Sequence, residues 1–290
     1  MKMKKIRKAV IPVAGMGTRF LPVTKSVPKE MLPIVDIPTI DYIVDEAVAS
    51  GIEEILFITS PYKKALEDHF DISFELESRL EQSNKIKELE MVKAIPEKCK
   101  FFYIRQGEPL GSGHAINLAR SFVGDEPFVV MYGDDVMYYK DKEPVLKQLI
   151  DVYEKYDANV IGVQEVNRDL VHKYGIIKYS DEETFKIDTI IEKPKLEEAP
   201  SNSAGLGRYI VKPTIFDILT DLKAGAGNEI QFTDAMKELM TKEDFYACKF
   251  DGEYFDVGSK IGYLKANINY ALDREDLRKE MLAYMKERIK

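Results

Sequence analysis

Short apolar runs alternate along the chain with stretches of helical periodicity, and this rhythm restricts the fold more than any other feature. Ala9–Val13, Ile55–Thr59, Phe101–Arg105, Phe128–Tyr132 and Val160–Val166 read as buried strands. Between them, Thr39–Ser50 carries Ile40, Ile43, Val44, Ala47 and Val48 on one helical face, with Gly51 where a helix-terminating glycine belongs. Ser60-Pro61 reads as an N-cap followed by a first-turn proline, opening a helix to about Phe70. Glu75–Lys93 is an exposed amphipathic helix or excursion, and His114–Phe122 and Val145–Tyr156 are further helices. Such alternation implies an α/β fold: a mostly parallel central sheet with helices on both faces. Ligands of such sheets bind outside the carboxyl ends of the strands.

After Val166 the pattern changes. Gly175–Tyr179 and Phe185–Ile191 flank the polar turn Ser180–Thr184, which predicts an antiparallel pair. Leu206–Val211, Phe245–Phe250 and Tyr254–Val257 are strands, with helices at about Thr214–Leu222 and Asp234–Met240. We expect residues 1–290 to form one domain, with a small antiparallel lobe at about 167–212 and a C-terminal helical segment at about 260–290. Leu277, Met281 and Met285 fall on one face of the last helix, as a core residue or a subunit contact would.

Composition removes several function classes. Forty-two Lys and Arg against 50 Asp and Glu leave a net charge of −8, which argues against nucleic acid or a membrane as the main partner. With 45% hydrophobic residues the chain is not of the disordered type. Cys99 and Cys248 cannot build a disulfide scaffold and lack metal-ligand spacing, which fits a reducing, cytoplasmic setting. The basic N-terminal stretch followed by Ala9–Ala14 looks like a secretory signal. The apolar run is too short for one, carries Pro12 and runs into Arg19, so we read a first strand entering a Gly-rich loop.

Four constellations carry chemistry. Ala14-Gly15-Met16-Gly17-Thr18-Arg19 follows the first strand, where small residues let a nucleotide approach the backbone and N–H groups bind phosphate. It fails the dinucleotide and P-loop patterns. Arg19 and Lys29 are two cations that suit a polyphosphate, or simply solvated charges at a turn. Second, Gln106 in Arg105–His114 offers a donor and an acceptor to a pyrimidine edge, beside Gly111 and Gly113, unless this is an ordinary strand-to-helix turn. Third, Asp134 and Asp135 end a buried strand. Asp134 with Asp256 suits Mg²⁺, which takes one or two carboxylates plus phosphate oxygens; helix capping is the alternative. Fourth, Gly175, Glu192 and Lys193 suit a sugar phosphate, against a default of surface ion pairing.

Ala14–Pro22 with Pro28-Lys29-Glu30-Met31-Leu32-Pro33 resembles the signature of the sugar nucleotidyltransferases. Arg105–Gly111, Glu192-Lys193-Pro194, Ala199–Asn202, Gly207-Arg208-Tyr209, Gly225-Ala226-Gly227, Glu229-Ile230-Gln231 and Thr233-Asp234-Ala235 narrow the resemblance to bacterial UTP–glucose-1-phosphate uridylyltransferases, over about Arg7 to Leu272. Gly133 departs from a place that is often proline in the family, and Ser203 and Gly205 replace apolar residues.

The resemblance implies a Rossmann-like nucleotidyltransferase fold with a sugar-binding lobe. It implies UTP, glucose 1-phosphate, UDP-glucose and pyrophosphate as partners, Mg²⁺ as cofactor, and a homodimer or homotetramer. By motif, Ala14, Gly15, Gly17, Thr18, Glu30, Gln106 and Gly111 bind the nucleotide, and Arg19, Lys29 and Lys193 are catalytic. Gly175 and Glu192 bind sugar, and Asp134 and Asp256 bind metal. The competing expectations are another nucleotide or hexose 1-phosphate, or a non-catalytic sugar-nucleotide-binding regulator.

Overall fold

The computed structural model describes residues 3–225 and 228–289, so Ala226 and Gly227 of the Gly225-Ala226-Gly227 segment lie outside the described residues. Strand β1 (Lys8–Pro12) leads through a loop to a two-residue pair, β2 (Pro33–Ile34) and β3 (Ile37–Pro38), and helix α1 (Thr39–Ala49). Then come β4 (Glu54–Thr59), α2 (Lys64–His69), α3 (Phe74–Gln82), α4 (Ile86–Glu97) and β5 (Lys100–Arg105). The chain continues with α5 (Ser112–Asn117), α6 (Arg120–Val123), β6 (Phe128–Met131), β7 (Asp135–Tyr138) and α7 (Val145–Tyr156). Next are β8 (Asn159–Glu165), β9 (Gly175–Asp181), β10 (Lys186–Glu192) and β11 (Ser203–Val211). It ends with α8 (Ile215–Asp221), α9 (Phe232–Leu239), β12 (Phe245–Lys249), β13 (Glu253–Asp256), α10 (Lys260–Asp273) and α11 (Glu275–Arg288).

Nine strands form one sheet in the order β5-β4-β1-β6-β11-β8-β12-β10-β9. The β5-β4-β1-β6 half is parallel; β11 then runs antiparallel to both β6 and β8. Both faces are covered. In β1, Ala9 and Ile11 point to a core with Ile40, Ile43 and Leu149, while Val10 points to one with Ile116, Phe216 and Phe232. That two-sided burial explains why the early strands read as continuous apolar runs.

Several boundaries differ from the sequence reading. Strand β9 pairs with β10 and β11, so the antiparallel segment continues the central sheet. The expected lobe limit near 212 falls beyond a central strand, because Ser203–Val211 is buried throughout between β6 and β8. Helix α2 starts at Lys64, since Lys63 N–H donates to Ser60 C=O and Pro61 serves a turn instead of a first helical turn. The Glu75–Lys93 stretch is two helices, divided near Asn84 at φ 53°. Leu277, Met281 and Met285 are half-buried, and α11 has no buried residue.

One polar group crosses the core. Arg208 on β11 and Glu46 on α1 are both fully buried. The guanidinium donates to Glu46 Oε2 at 2.7 Å, to Asp135 C=O at 2.9 Å and to Gly207 C=O at 3.0 Å. Glu46 Oε1 also accepts the Leu146 N–H at 3.0 Å. Helix α1, helix α7, β11 and the start of β7 are thereby tied at one point. Glu46→Leu would strand a buried cation, so we expect urea unfolding to show a loss of about 3–5 kcal/mol. Arg79→Ala, which removes an exposed pair with Glu75, is expected to leave stability within error.

Candidate active site

Strands β4 and β5 lie to one side of β1 and β6 to the other, so the crossover direction reverses between β1 and β6. A ligand crevice is expected outside the carboxyl ends of those two strands. The β1 end delivers the Ala14–Arg19 loop. Gly17 takes φ 64°, and its carbonyl accepts from the Thr24 hydroxyl at 2.8 Å, which folds the loop back. The β6 end delivers Gly133 and Asp134. A Cβ on Gly133 would lie 2.7 Å from Val13 Cγ1, so a side chain there would have to displace Val13.

Strand β13 pairs with β7 and sets Asp256 opposite Asp135, and Val257 N–H donates to Asp134 C=O at 3.0 Å. Asp256 is thus brought beside Asp134 from 122 positions later in the chain. The two carboxylates face one point. A Cβ built on Gly258 would lie 2.5 Å from Asp134 Oδ2 and 3.1 Å from Asp256 Oδ1. A point flanked by two carboxylates fits a divalent cation whose coordination phosphate oxygens complete. Lys29 Nζ lies 2.5 Å from Asp134, and the Arg19 guanidinium lies 3.7 Å from Asp134 and 3.8 Å from Asp256.

Charge balance follows from this packing. Burial pushes the Asp134 carboxyl up, but Lys29 and Arg19 outweigh it and hold it below the usual carboxylate range. Burial would depress Lys29, and the charges of Asp134 and Glu30 reverse that. Asp256 is pushed up by burial, with Arg19 opposing. Asp135 is pushed up to about 7 by burial and by neighbouring Asp134, while accepting from Tyr254 Oη at 2.8 Å.

Two cavities meet at Asp134. The smaller, of about 290 Å³, is lined by Ala14, Gly15, Lys29, Gln106, Gly111 and Asp134 among others. Its far wall is the start of α5. Gly111 stands at φ 102°, and a Cβ there would lie 2.6 Å from Ile230 C=O. The larger, of about 660 Å³, is lined by Arg19, Asp134, Gly175, Glu192, Lys193 and Asp256 among others. Glu192 accepts from Thr233 Oγ1 at 2.9 Å and lies 3.2 Å from Lys193 Nζ. Ser112, Tyr132 and Asp134 line both.

Three sequence-derived nucleotide residues fall outside these cavities. Glu30 is 1% exposed and accepts from Lys63 Nζ at 2.6 Å. It is a buried counter-ion beneath Lys29 and lines neither cavity. Thr18 lines a separate cavity with Leu21, Pro28 and Tyr62, because the Gly17 turn carries it to the other side of the loop. Gly17 shapes the loop and lines neither cavity. Conversely, Tyr132, Ser112, Tyr174, Tyr254 and Thr233 line the site unforeseen. Ser112 between two glycines was a signal; the tyrosines gave none, since each also fits a sheet core.

A family model described as nucleotidyl transferase matches residues 8–272. The UTP–glucose-1-phosphate uridylyltransferase YngB of Bacillus subtilis (strain 168) is 50% identical over 289 residues, covering 99% of this chain and 97% of that protein. The UTP–glucose-1-phosphate uridylyltransferase of Staphylococcus haemolyticus is 50% identical, covering 98% of this chain and 99% of that one. Among solved structures, a UDP-glucose pyrophosphorylase complexed with UDP-glucose superposes with a TM-score of 0.85 at 42% identity, covering 93% and 100% of the two chains. UTP-bound UGPase from Acinetobacter baumannii superposes with a TM-score of 0.89 at 39% identity, covering 97% and 99%. The chain belongs to the nucleotidyl transferase family and, within it, to the UTP–glucose-1-phosphate uridylyltransferases.

If the smaller cavity holds the nucleotide, Gly111→Ala must displace either its wall or the Ile230 backbone. Calorimetric titration is expected to show about five- to hundredfold weaker UTP binding, from roughly 1–3 kcal/mol of backbone strain. Unchanged affinity would remove the α5 turn from the nucleotide site.

Proposed function

We propose that this enzyme transfers the uridylyl group of UTP to glucose 1-phosphate, giving UDP-glucose and pyrophosphate. The observation that carries this reading is that Asp134, Tyr132 and Ser112 line both cavities, so a nucleotide in one and a sugar phosphate in the other bring their phosphates together at Asp134. Uracil and ribose lie against Ala14, Gly15, Gln106 and Gly111. Gly175 and Glu192 meet the glucose hydroxyls, and Lys193 holds the sugar phosphate. A phosphate oxygen of glucose 1-phosphate attacks the α-phosphorus of UTP in line. The bond from that phosphorus to the bridging α–β oxygen breaks, and pyrophosphate leaves with the electron pair.

This chemistry needs positioning and charge neutralisation more than proton transfer. Arg19 and Lys29 face the β- and γ-phosphates and the departing pyrophosphate. Both are already drawn to the carboxylates that mark the reacting centre, so they wait at the site. Asp134 and Asp256 would hold Mg²⁺, whose charge offsets that of the converging phosphates. With no exposed scaffold of disulfides and both cysteines free, a reducing cytoplasm suits the chain. Among the described residues no helix is long and apolar enough to cross a membrane. Ile261, Leu264 and Ile268 leave an exposed apolar row on α10, which supports assembly into a homodimer or homotetramer.

Pyrophosphate release from UTP plus glucose 1-phosphate is the primary test. Lys193→Ala and Asp134→Ala are each expected to lose on the order of 10²–10³ in kcat while keeping the wild-type circular dichroism. A near-wild-type rate in either variant would overturn the role given to that residue.

A further inference from the structure

The nucleotide cavity contains a polar relay that goes beyond supplying a pyrimidine edge. Gln106 is 8% exposed, and its backbone is held at the end of β5 by a 2.8 Å bond from its N–H to Thr59 C=O. One end of its amide lies 3.2 Å from Gly111 C=O and 3.0 Å from His114 Nδ1. A backbone carbonyl can only accept, so the group facing it is the amide NH₂. The NH₂ can only donate, so His114 Nδ1 accepts, and the neutral imidazole carries its proton on Nε2. Both amide protons are therefore engaged inside the protein.

The other end of the amide is left free. Gln106 Oε1 accepts from no described residue, and it is not among the buried orphans, which are Glu30 Oε1, Asn117 Oδ1 and Asn269 Nδ2. Gln106 lines the smaller cavity, where a ligand would meet that free acceptor. The sequence offered Gln106 as both donor and acceptor; the structure leaves it an acceptor alone. Uracil presents a donor at N3, whereas the N3 of cytosine is an acceptor. An acceptor fixed at that edge favours the first base and repels the second.

We infer that His114 is a positioning residue for base choice: it holds the Gln106 amide in one orientation, so the enzyme reads the N3–H of uracil and rejects cytosine. The inference rests on the proposed placement of the base in the smaller cavity. Without the His114 acceptor the amide keeps only the Gly111 carbonyl and can turn its NH₂ toward the ligand, which cytosine N3 would accept.

The test compares kcat/KM for UTP and CTP, each with glucose 1-phosphate, in the wild type, His114→Asn and His114→Leu. Asparagine can present an oxygen where Nδ1 stood. The wild type is expected to favour UTP, His114→Asn to keep most of that ratio, and His114→Leu to lower it about tenfold, the scale of one net hydrogen bond. A merely structural histidine would lower both substrates alike. An unchanged ratio in folded His114→Leu overturns the inference while leaving the proposed reaction intact. Absence of UTP preference in the wild type instead overturns the placement of the base itself. Should His114→Leu not fold, the ¹⁵N spectrum of the wild-type imidazoles decides: a protonated Nε2 and bare Nδ1 on His114 support the relay, and a protonated Nδ1 contradicts it.

Discussion

The Arg208–Glu46 pair is the interaction on which the site depends. Burying an unpaired guanidinium is prohibitive, and this one is paired: three of its bonds end on Glu46 and two on backbone carbonyls. One of those carbonyls belongs to Asp135, the residue that follows Asp134. The pair therefore does more than join α1 to β11. It fixes where the chain leaves β6, and with it the carboxylate at which both cavities meet. The same constraint explains Gly207. At φ 56°, a Cβ there would collide with the Asp135 carboxylate, so the strand carrying Arg208 can pass only without a side chain.

Around that fixed point, the fold separates its tasks by strand end. The β1 end brings a small-residue loop to the wall of the smaller cavity. The β6 end brings the carboxylate. The β7–β13 pair brings the second carboxylate, and β9 and β10 bring Gly175 and Glu192 with Lys193. Negative net charge across the chain does not conflict with a polyphosphate ligand, because Arg19, Lys29 and Lys193 are gathered where it matters. Lys63 and Glu30 extend this arrangement below the surface. Burial pushes Glu30 up and Lys63 down, so each tolerates its charge only through the other, and together they underlie Lys29.

Much of this was legible in the residues. The parallel half announces itself through apolar runs, because burial on both faces leaves no polar alternation. Gly-rich loops after strands mark the crevice, and Asp134 stands out because a carboxylate at the end of a buried strand is costly without a partner. What stayed hidden depends on contacts distant in sequence. Nothing local says that Ser203–Val211 threads the middle of the sheet, or that Arg208 meets Glu46 across 162 positions. Glu30 looked like part of the phosphate loop, yet its side chain turns inward to Lys63. Gln106 was visible as a polar base reader, but only the Gly111 carbonyl reveals which end of the amide it offers.

The central claim is that one product spans both cavities with its diphosphate at Asp134. Co-crystallisation with UDP-glucose tests this most directly. The account predicts uracil beside Gln106 and Gly111, glucose beside Gly175 and Glu192, and the diphosphate between Lys193 and Asp134. Uracil in the larger cavity, or a diphosphate away from Asp134, would contradict it.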